Sequence, residues 1–302
     1  MNSQNPIGVQ TTPKEDQAVR KQVRQFYDEV GWQITGEGVY QNTRYEDLRP
    51  VSTEYIRKCH LRVNRHLTKE GKYLLDAGSG PVQYPEYATY SEGYDYRVCA
   101  DLSIVALKEA RKRLGSHAAC VVADVSRLPF KDEVFDGVVS LHTLHHLQAD
   151  DQLRAYREVH RVLASGRSAV LVNGWTHSRL MNIARPLMVQ VERLGIWVAR
   201  LRGRAAAGQG QKKKKNNTAT GTYIQKLDAD WLRAELGDIM QFEIRVWRSV
   251  SVRFLRAFVY RPLAGHLWLR ALYAFEERWP HYFGEQGQYP MVIIDKVHRK
   301  RS

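Results

Sequence analysis

Three acidic residues follow three short apolar segments of the chain, each at the point where its segment ends. Asp76 precedes Gly78 and Gly80, and Asp101 and Asp124 close the next two segments. Glycines two residues apart let the backbone turn sharply and approach a ligand closely, because no Cβ atom stands in the way. Asp101 comes 21 residues after Gly80, a spacing at which a carboxylate can accept hydrogen bonds from both hydroxyls of a ribose.

The other two acids extend this pattern. Asp76, beside the turn, could hold an ammonium group, and Asp124 could accept a hydrogen bond from an exocyclic amine such as that of adenine. A nicotinamide-dinucleotide site is disfavoured because Gln83 stands where the G-x-G-x-x-G fingerprint needs a small residue. The alternative interpretation is that each acid merely caps the helix or turn after its strand.

Histidines follow a fourth apolar segment, at positions 142, 145 and 146. An imidazole here could act as a general base because its ordinary pKa lies near neutral pH, and His142 and His145 are the candidate catalytic residues. The alternative is a packing or supporting role for each ring. No G-x-S-x-G elbow surrounds Ser79 or Ser140, which disfavours a hydrolase. No metal is expected, since no His, Cys and carboxylate cluster has metal-ligand spacing.

The segments that position these residues alternate between two periodicities. Short apolar segments rich in β-branched residues are typical of buried parallel strands, and they span residues 72–77, 97–101, 118–124, 135–140 and 168–173. Apolar residues recur at helical spacing in residues 52–67, 103–114 and 150–163. This alternation predicts β-α-β units and a doubly wound α/β fold. The carboxyl ends of its strands share one edge, where ligands bind.

The order of these motifs resembles that of the class I S-adenosylmethionine-dependent methyltransferases, in the broad branch that acts on small molecules. The matching segments are LLDAGSG (74–80), VCADLS (98–103), VVADVSRLPF (121–130), FDGVVSLHTLHHL (135–147) and EVHRVLASGRSAVLV (158–172). The resemblance implies a seven-stranded, mostly parallel, doubly wound sheet of the Rossmann-like methyltransferase type. It also implies S-adenosyl-L-methionine as the cofactor.

The resemblance implies nine cofactor-binding residues: Asp76, Ala77, Gly78, Gly80, Asp101, Leu102, Asp124, Val125 and Leu141. In this assignment Asp76 and the two glycines line the methionine end, and Asp101 holds the ribose. Asp124 and Val125 flank the adenine, and Leu141 passes under the cofactor. Val82 stands where the family has a third glycine, so we expect this turn to close differently.

Composition and patterning suggest how the chain is organised. Its 302 residues, 43% of them hydrophobic, suffice for one large or two small folded domains. The expected parts are a disordered N-terminus (1–20), N-terminal helices (21–71), the cofactor-binding α/β core (72–175), a basic amphipathic helical insertion (176–229) with a mobile loop at 208–221, and the C-terminal part of the sheet (230–302) with a helical insertion at 253–285.

The two insertions are strongly apolar, and the first is also basic. Residues 179–201 carry apolar side chains at three- and four-residue steps, and residues 254–279 form a second apolar block. We expect them to form a helical lid over the acceptor site; the alternative is that they pack together as core. The net charge is +14, and residues 179–215 hold ten Lys or Arg against Glu192 alone. This stretch is either a solvated loop or a contact for an anionic membrane.

These features predict methyl transfer to a small, hydrophobic or lipid-like acceptor. An RNA or tRNA methyltransferase is the alternative, disfavoured because no Asn-Pro-Pro-Tyr-like base-methylating motif appears. A non-catalytic S-adenosylmethionine-binding protein is the third hypothesis. Three scattered cysteines and a polar start without a signal-peptide core favour a cytoplasmic location, at most peripheral at a membrane, and no obligate protein partner is inferred.

Overall fold

The computed structural model describes residues 13–32, 41, 46–201 and 223–297, and its centre is a seven-stranded sheet. The strands are β1 (Gly71–Ala77), β2 (Tyr94–Asp101), β3 (Ala118–Val122), β4 (Phe135–Leu141), β5 (Leu163–Val172), β6 (Phe242–Arg248) and β7 (Tyr289–Asp295). They lie in the order β3-β2-β1-β4-β5-β7-β6. Strands β1 to β5 pair in parallel, and β7 is antiparallel to both neighbours. The predicted doubly wound, mostly parallel sheet is confirmed.

Helices connect the strands. The described residues form α1 (Pro13–Phe26), α2 (Pro50–Leu61), α3 (Pro85–Ala88), α4 (Ile104–Leu114), α5 (Ala149–Val162), α6 (Arg179–Leu201), α7 (Ala229–Leu236), α8 (Val252–Phe258), α9 (Gly265–Arg278) and α10 (Pro280–Gln286). A π-helical turn, Tyr27–Gly31, extends α1. No helix in this part of the chain is long and apolar enough to cross a lipid bilayer. The predicted mobile loop at 208–221 lies outside the described residues.

The central strands bury side chains on both faces of the sheet. Leu75 of β1 packs in one apolar cluster with Val159 of α5 and Leu232 of α7. Its neighbour Leu74 packs in a second cluster with Leu107 of α4. Successive side chains of a strand point to opposite faces, so a strand that is apolar throughout needs helices on both sides. This explains why these segments lack the alternation of a half-solvated strand.

The N-terminal residues depart from the prediction. Residues 13–20, expected to be disordered, belong to helix α1, so the prediction is wrong for them, and residues 1–12 lie outside the described residues. Arg20 of α1 forms ion pairs with Asp124 (2.9 Å) and Asp151 (2.8 Å). A polar composition indicated disorder, but these tertiary contacts hold the helix against the rest of the protein.

Both predicted helical insertions are present. The first is α6, which continues through Pro186, and the second comprises α8, α9 and α10. Leu255 and Leu269 of the second insertion share a third apolar cluster with Met181 of α6 and Tyr55 of α2. The insertions therefore pack on each other and on α2, which was the alternative to a lid.

A buried carboxylate joins α2, α9 and the residue after β6. Glu276 on α9 is fully buried and pairs with the buried Arg62 (2.9 Å). It also accepts hydrogen bonds from the Tyr55 hydroxyl (2.7 Å) and from the amide (2.9 Å) and hydroxyl (2.6 Å) of Ser249. Three hydrogen bonds to Oε1 and the positive charge of Arg62 beside Oε2 compensate for the hydration that the carboxylate loses on burial.

Replacing Glu276 with leucine should lower the free energy of unfolding by about 3 kcal/mol, because Arg62 would lose a counter-charge and the other donors would lose their acceptor. Urea denaturation of the purified protein measures this change. The matched control is Glu54→Leu, at a pair with Arg270 in which both side chains are about half exposed, and it should lose much less, because solvent screens this pair. Equal losses in the two variants would contradict the structural role of Glu276.

Candidate functional site

A cavity of about 410 Å³ runs along the edge of the sheet where the carboxyl ends of the parallel strands lie. The order of the strands in the sheet determines the order in which residues line the cavity. Asp124, Asp101 and Gly78 follow β3, β2 and β1 at one end, which we call the acid end. Tyr289 and Arg248, from β7 and β6, lie at the other, which we call the β6 end. Ligands of open α/β sheets bind at this edge, so the cavity is the candidate functional site.

The turn after β1 requires glycine at position 78. Gly78 has a φ of +79°, and its N–H donates to the Ala100 carbonyl (2.7 Å). A Cβ atom on Gly78 would lie 2.2 Å from the Thr143 side chain, so no larger residue fits. Gly80 has a φ of +54°, and a Cβ atom there would lie 3.2 Å from the Trp32 ring. The turn therefore packs closely against Thr143 and Trp32 on one side, and both glycines line the cavity.

Val82, which replaces the third glycine of the family pattern, has the backbone conformation of a glycine. Its φ is +52°, and its side chain is only 2% exposed. That the turn closes differently from the family's stays a prediction; in this chain the residue is left-handed in spite of the steric cost of a β-branched side chain.

Both carboxylate oxygens of Asp101 accept hydrogen bonds from backbone amides. Oδ2 accepts from the Gly80 N–H (2.9 Å), and Oδ1 accepts from the Ser103 N–H (2.8 Å). Burial raises the pKa of Asp101 to about 6, although these hydrogen bonds lower it. Each oxygen keeps a second lone pair, so the carboxylate is fixed in place and can still accept two hydroxyl donors.

Asp124 is held by donors from two parts of the chain. Its Oδ1 accepts from the amide (2.9 Å) and hydroxyl (2.8 Å) of Ser126, and its Oδ2 pairs with Arg20 (2.9 Å). The role of Arg20 was not predicted, because the sequence of a polar helix does not indicate an ion pair with a residue as distant as Asp124. Its contact brings α1 to the acid end of the cavity.

Asp76 is engaged by an arginine inside the protein. Its Oδ2 accepts from the Nε (3.1 Å) and Nη2 (2.5 Å) of Arg97, whose Nη1 donates to the Tyr87 carbonyl (2.5 Å). Arg97 was also missed, although a charged residue inside an apolar strand was a signal that could have identified it. Contact of Asp76 with a ligand ammonium stays a prediction, and this ion pair already uses one of its two oxygens.

The cavity brings together eight of the nine predicted cofactor-binding residues: Asp76, Gly78, Gly80, Asp101, Leu102, Asp124, Val125 and Leu141. The exception is Ala77, which does not line the cavity. Its side chain is buried in the apolar cluster on one face of the sheet, because alternation along β1 points it into the core. Its carbonyl accepts a hydrogen bond from the Ser140 hydroxyl (2.6 Å).

All three histidines line the cavity, and burial makes each of them a weak base. It lowers the pKa of His142 to about 3 and that of His146 to about 4, and it holds the pKa of His145 well below its usual range. The general-base role of His142 and His145 remains a prediction, and these low pKa values argue against it, since an effective base has a pKa near the working pH.

His146 is fixed by two tyrosines. Its Nδ1 lies 2.8 Å from the Tyr223 carbonyl, and its Nε2 lies 2.7 Å from the Tyr27 hydroxyl. A carbonyl can only accept, so Nδ1 carries the proton and the Tyr27 hydroxyl donates to Nε2. This hydrogen bond anchors the segment after α1 to the residues after β4.

Aromatic and charged side chains surround the β6 end. Arg248 is 2% exposed, pairs with Glu46, and lies 4.6 Å from the centroid of the Tyr289 ring. The pKa of Glu46 falls to about 2, since Arg248 and His60 outweigh the effect of burial, which raises it. The lining residues at this end include Glu46, Tyr84, Tyr87, Lys226, Arg248 and Tyr289.

The wall of the cavity differs from the predicted lid. Among the described residues, none from α6, α8, α9 or α10 lines the cavity. The N-terminal segment forms a wall instead, through Phe26, Tyr27 and Trp32. Periodicity shows that a helix has an apolar face but not which surface that face meets, so it does not distinguish a lid from helices that pack on each other.

Residues 75–171 match the family model described as "Methyltransferase domain". The chain carries a class I S-adenosylmethionine-dependent methyltransferase domain. The matched range contains all nine predicted cofactor-binding residues and the three histidines. The family's cofactor is S-adenosylmethionine, and the acid end fits it: Gly78 and Gly80 line the cavity without a side chain, and Asp101 keeps free lone pairs for ribose hydroxyls.

Two mouse relatives of the methyltransferase domain are similar over part of their length. "Probable tRNA methyltransferase 9B" is 32% identical over 127 residues, which are 40% of this chain and 26% of that protein. "eEF1A lysine and N-terminal methyltransferase" is 28% identical over 123 residues, which are 40% of this chain and 17% of that protein. The chain therefore spans about a quarter or less of the curated relatives that it matches.

Solved structures share the fold at low sequence identity. Phosphoethanolamine N-methyltransferase 2 of Haemonchus contortus, in complex with S-adenosyl-L-methionine, has a TM-score of 0.50 and 14% identity, over 91% of this chain and 60% of that chain. The [4+2]-cyclase SpnF has a TM-score of 0.50 and 16% identity, over 93% of this chain and 98% of that chain. One is named a methyltransferase and the other a cyclase, so the fold alone does not set the reaction.

S-adenosylhomocysteine should bind this methyltransferase domain less tightly as the pH falls through about 6, the pKa of Asp101. The protonated carboxyl loses an acceptor that the ribose hydroxyls need, and the dissociation constant should rise about tenfold between pH 7 and pH 5. Calorimetric titration measures the constant at each pH.

The variant Asp101→Ala should bind S-adenosylhomocysteine about 2–4 kcal/mol more weakly at pH 7, because two charge-assisted hydrogen bonds are lost. Its dissociation constant should also stay flat between pH 7 and pH 5. The control is Asp132→Asn, whose side chain is largely exposed and which should retain the normal profile. A normal pH profile in Asp101→Ala would remove the assignment of the ribose to this carboxylate.

Proposed function

We propose that the protein transfers the methyl group of S-adenosylmethionine to a small acceptor with an apolar body, bound at the β6 end of the cavity. The continuity of the cavity carries this proposal, since the acids after β1 to β3 and the rings near β6 line one space. The bound cofactor supplies an electrophilic methyl group on a sulfonium. A shared space allows donor and acceptor to lie in contact, which direct transfer requires.

The residues of the chain hold the donor and keep water away from it. Asp101 accepts from the ribose, and the glycine turn lets the backbone approach the rest of the cofactor. The rings of Tyr27 and Trp32 stack with centroids 5.0 Å apart and cover the turn at Gly80. Exclusion of water strengthens each polar contact with the donor.

The buried histidines contribute through their lack of charge. With a pKa of about 3 for His142 and about 4 for His146, both rings are neutral at physiological pH. An imidazolium beside a sulfonium would repel it, so neutral rings keep the cavity compatible with a cationic donor. They can still orient the acceptor by hydrogen bonding.

The rings at the β6 end favour an apolar acceptor body. Tyr84, Tyr87 and Tyr289 line this end, and Ile224 adds an aliphatic side chain. Burial raises the pKa of Tyr84 and of Tyr87, so their hydroxyls stay protonated and uncharged. Such walls are typical of pockets for small, largely apolar molecules. They support the hydrophobic or lipid-like acceptor that the sequence predicts.

The second candidate acceptor is an RNA. It is favoured by the name of the mouse relative and by the basic stretch at 179–215. An RNA base would have to be extruded into a cavity that is walled by Phe26, Tyr27 and Trp32. The apolar lining at the β6 end requires no nucleic acid, so we place the small acceptor first.

Transfer of a tritium-labelled methyl group to a total lipid extract and to bulk tRNA, in separate reactions, tests the proposal. We expect label in the organic phase and none in the precipitated RNA. Asp101→Ala should lose this label at limiting cofactor, whereas Asp132→Asn should retain it. Label in the RNA would establish the second candidate. Tight binding of S-adenosylhomocysteine with no label in either fraction would favour the non-catalytic hypothesis.

A further inference from the structure

Lys226 is a cation without a partner in the cavity. Among the described residues, its ammonium has neither a hydrogen-bond acceptor nor an ion-pair partner. Asp101, at the acid end, also lacks a counter-ion but is held by two backbone amides. The other buried charges that line the cavity are compensated, in the pairs Asp76–Arg97, Glu46–Arg248 and Asp124–Arg20. The β6 end therefore carries one uncompensated positive charge.

Backbone contacts fix the position of Lys226. The Thr176 hydroxyl donates to the Lys226 carbonyl, and the Gln225 N–H donates to the His145 carbonyl (2.7 Å). The Lys226 side chain then crosses Gly174, where a Cβ atom would lie 3.1 Å from Nζ. Glycine at position 174 thus leaves room for the lysine beside the cavity, which both residues line.

Arg248 supplies a second donor without a partner. Its side chain is 2% exposed, yet its Nε–H has no hydrogen-bond acceptor among the described residues. Arg248 and Lys226 line the same cavity as His142. Two donors that lack an acceptor meet at one end of the cavity.

We infer that Lys226 and Arg248 form a subsite for an anionic group of the acceptor, a carboxylate or a phosphate. The inference rests on the proposed function, because it describes the acceptor of the same cavity. An anion would pair with the Lys226 ammonium and accept from the Arg248 Nε–H, and a neutral or cationic acceptor would leave both unsatisfied. The acceptor is then an amphiphile, with its apolar body against the rings and its charge at Lys226.

Binding of matched probes to the protein loaded with S-adenosylhomocysteine tests this subsite. Benzoate and benzamide have nearly the same shape and differ in charge, and phenyl phosphate separates a phosphate from a carboxylate. We expect one of the two anions to bind at least about tenfold more tightly than benzamide, as a charged hydrogen bond in a buried site would give. In Lys226→Met this preference should fall severalfold, while benzamide and S-adenosylhomocysteine bind as before.

The control Lys131→Met, at an exposed lysine, should leave the preference intact. Lys226→Met should also melt no lower than the parent protein, because it removes a charge that has no partner. Equal binding of benzamide and both anions, or an unchanged preference in Lys226→Met, would overturn the subsite. Failure of the protein to bind S-adenosylhomocysteine would instead contradict the proposed function.

Helix α6 carries a separate, unpartnered apolar stripe. Ile183, Leu187, Leu194 and Trp197 follow one another at steps of four, seven and three residues, so they share one face of the helix. Their exposed fractions lie between 54% and 78%. Met181 and Met188, on another face, are buried and attach the helix to the protein. Four large apolar side chains in line on a surface are typical of an interaction site.

Basic residues border this stripe. Arg179 and Arg193 lie on the same side of the helix as the stripe, are exposed, and form no ion pair with a described residue. Glu192, the acid of the helix, is neutralised by Arg253 at 2.7 Å. A second copy of the chain would bring the same positive charges to the contact, which disfavours self-association through this face.

We propose that this face of α6 rests on an anionic lipid surface. A helix with an apolar stripe and basic flanks lies in the membrane interface, with its apolar side chains among the lipids and its arginines at the phosphates. The stripe is already exposed, so binding needs no rearrangement of the fold.

Flotation with vesicles of equal parts phosphatidylglycerol and phosphatidylcholine, compared with phosphatidylcholine alone, tests the contact. We expect flotation with the anionic vesicles only, lost at high salt. The double variant Ile183→Ser with Trp197→Ser should stay at the bottom of the gradient. The control Val122→Ser, at an exposed side chain on the edge strand β3, should float. Flotation of the double variant, or a dimer that the double variant disperses, would overturn the proposal.

Discussion

Buried arginines that require carboxylate partners join segments of this protein that are far apart in its sequence. A guanidinium without a counter-charge in the protein interior is destabilising by several kcal/mol, so each pair fixes the positions of the two segments that it joins. Two of the pairs line the cavity, and the third joins the second helical insertion to the residues after α2. They are Arg97–Asp76, Arg248–Glu46 and Arg62–Glu276.

The cavity depends on these pairs because much of its wall lies on loops. Glu46 precedes α2 and has no strand to position it, but its pairing with Arg248 fixes it beside the end of β6. Arg20 does the same for α1, because it connects that helix to Asp124 and Asp151. The sheet thus provides the edge along which the cavity runs, and the ion pairs hold the loop and helix residues that form its walls.

The sequence allowed much of the sheet and of the acid end to be predicted, because both depend on short-range patterns. An apolar strand followed by an acid can be recognised within about ten residues, and parallel pairing then places the acids along one edge. Arg20 was missed because its partners, Asp124 and Asp151, lie more than 100 residues away, whereas Arg97 was missed although a charge within an apolar strand was a local signal. The helical insertions were predicted to cover the cavity for a related reason. The apolar stripe on α6 shows that the helix is amphipathic, but it does not show which surface contacts the stripe.

Position 82 shows that a valine can hold a backbone conformation that usually favours glycine. Valine there keeps a φ of +52°, a conformation that destabilises a non-glycine residue by about 1–2 kcal/mol. The same side chain is 2% exposed, and burying a valine contributes about 1.5 kcal/mol or more. The two terms nearly cancel, so the left-handed turn at this valine changes the net stability of the protein little. A motif search that requires glycine at position 82 would pass over this chain, although its backbone there has the left-handed conformation that glycine favours.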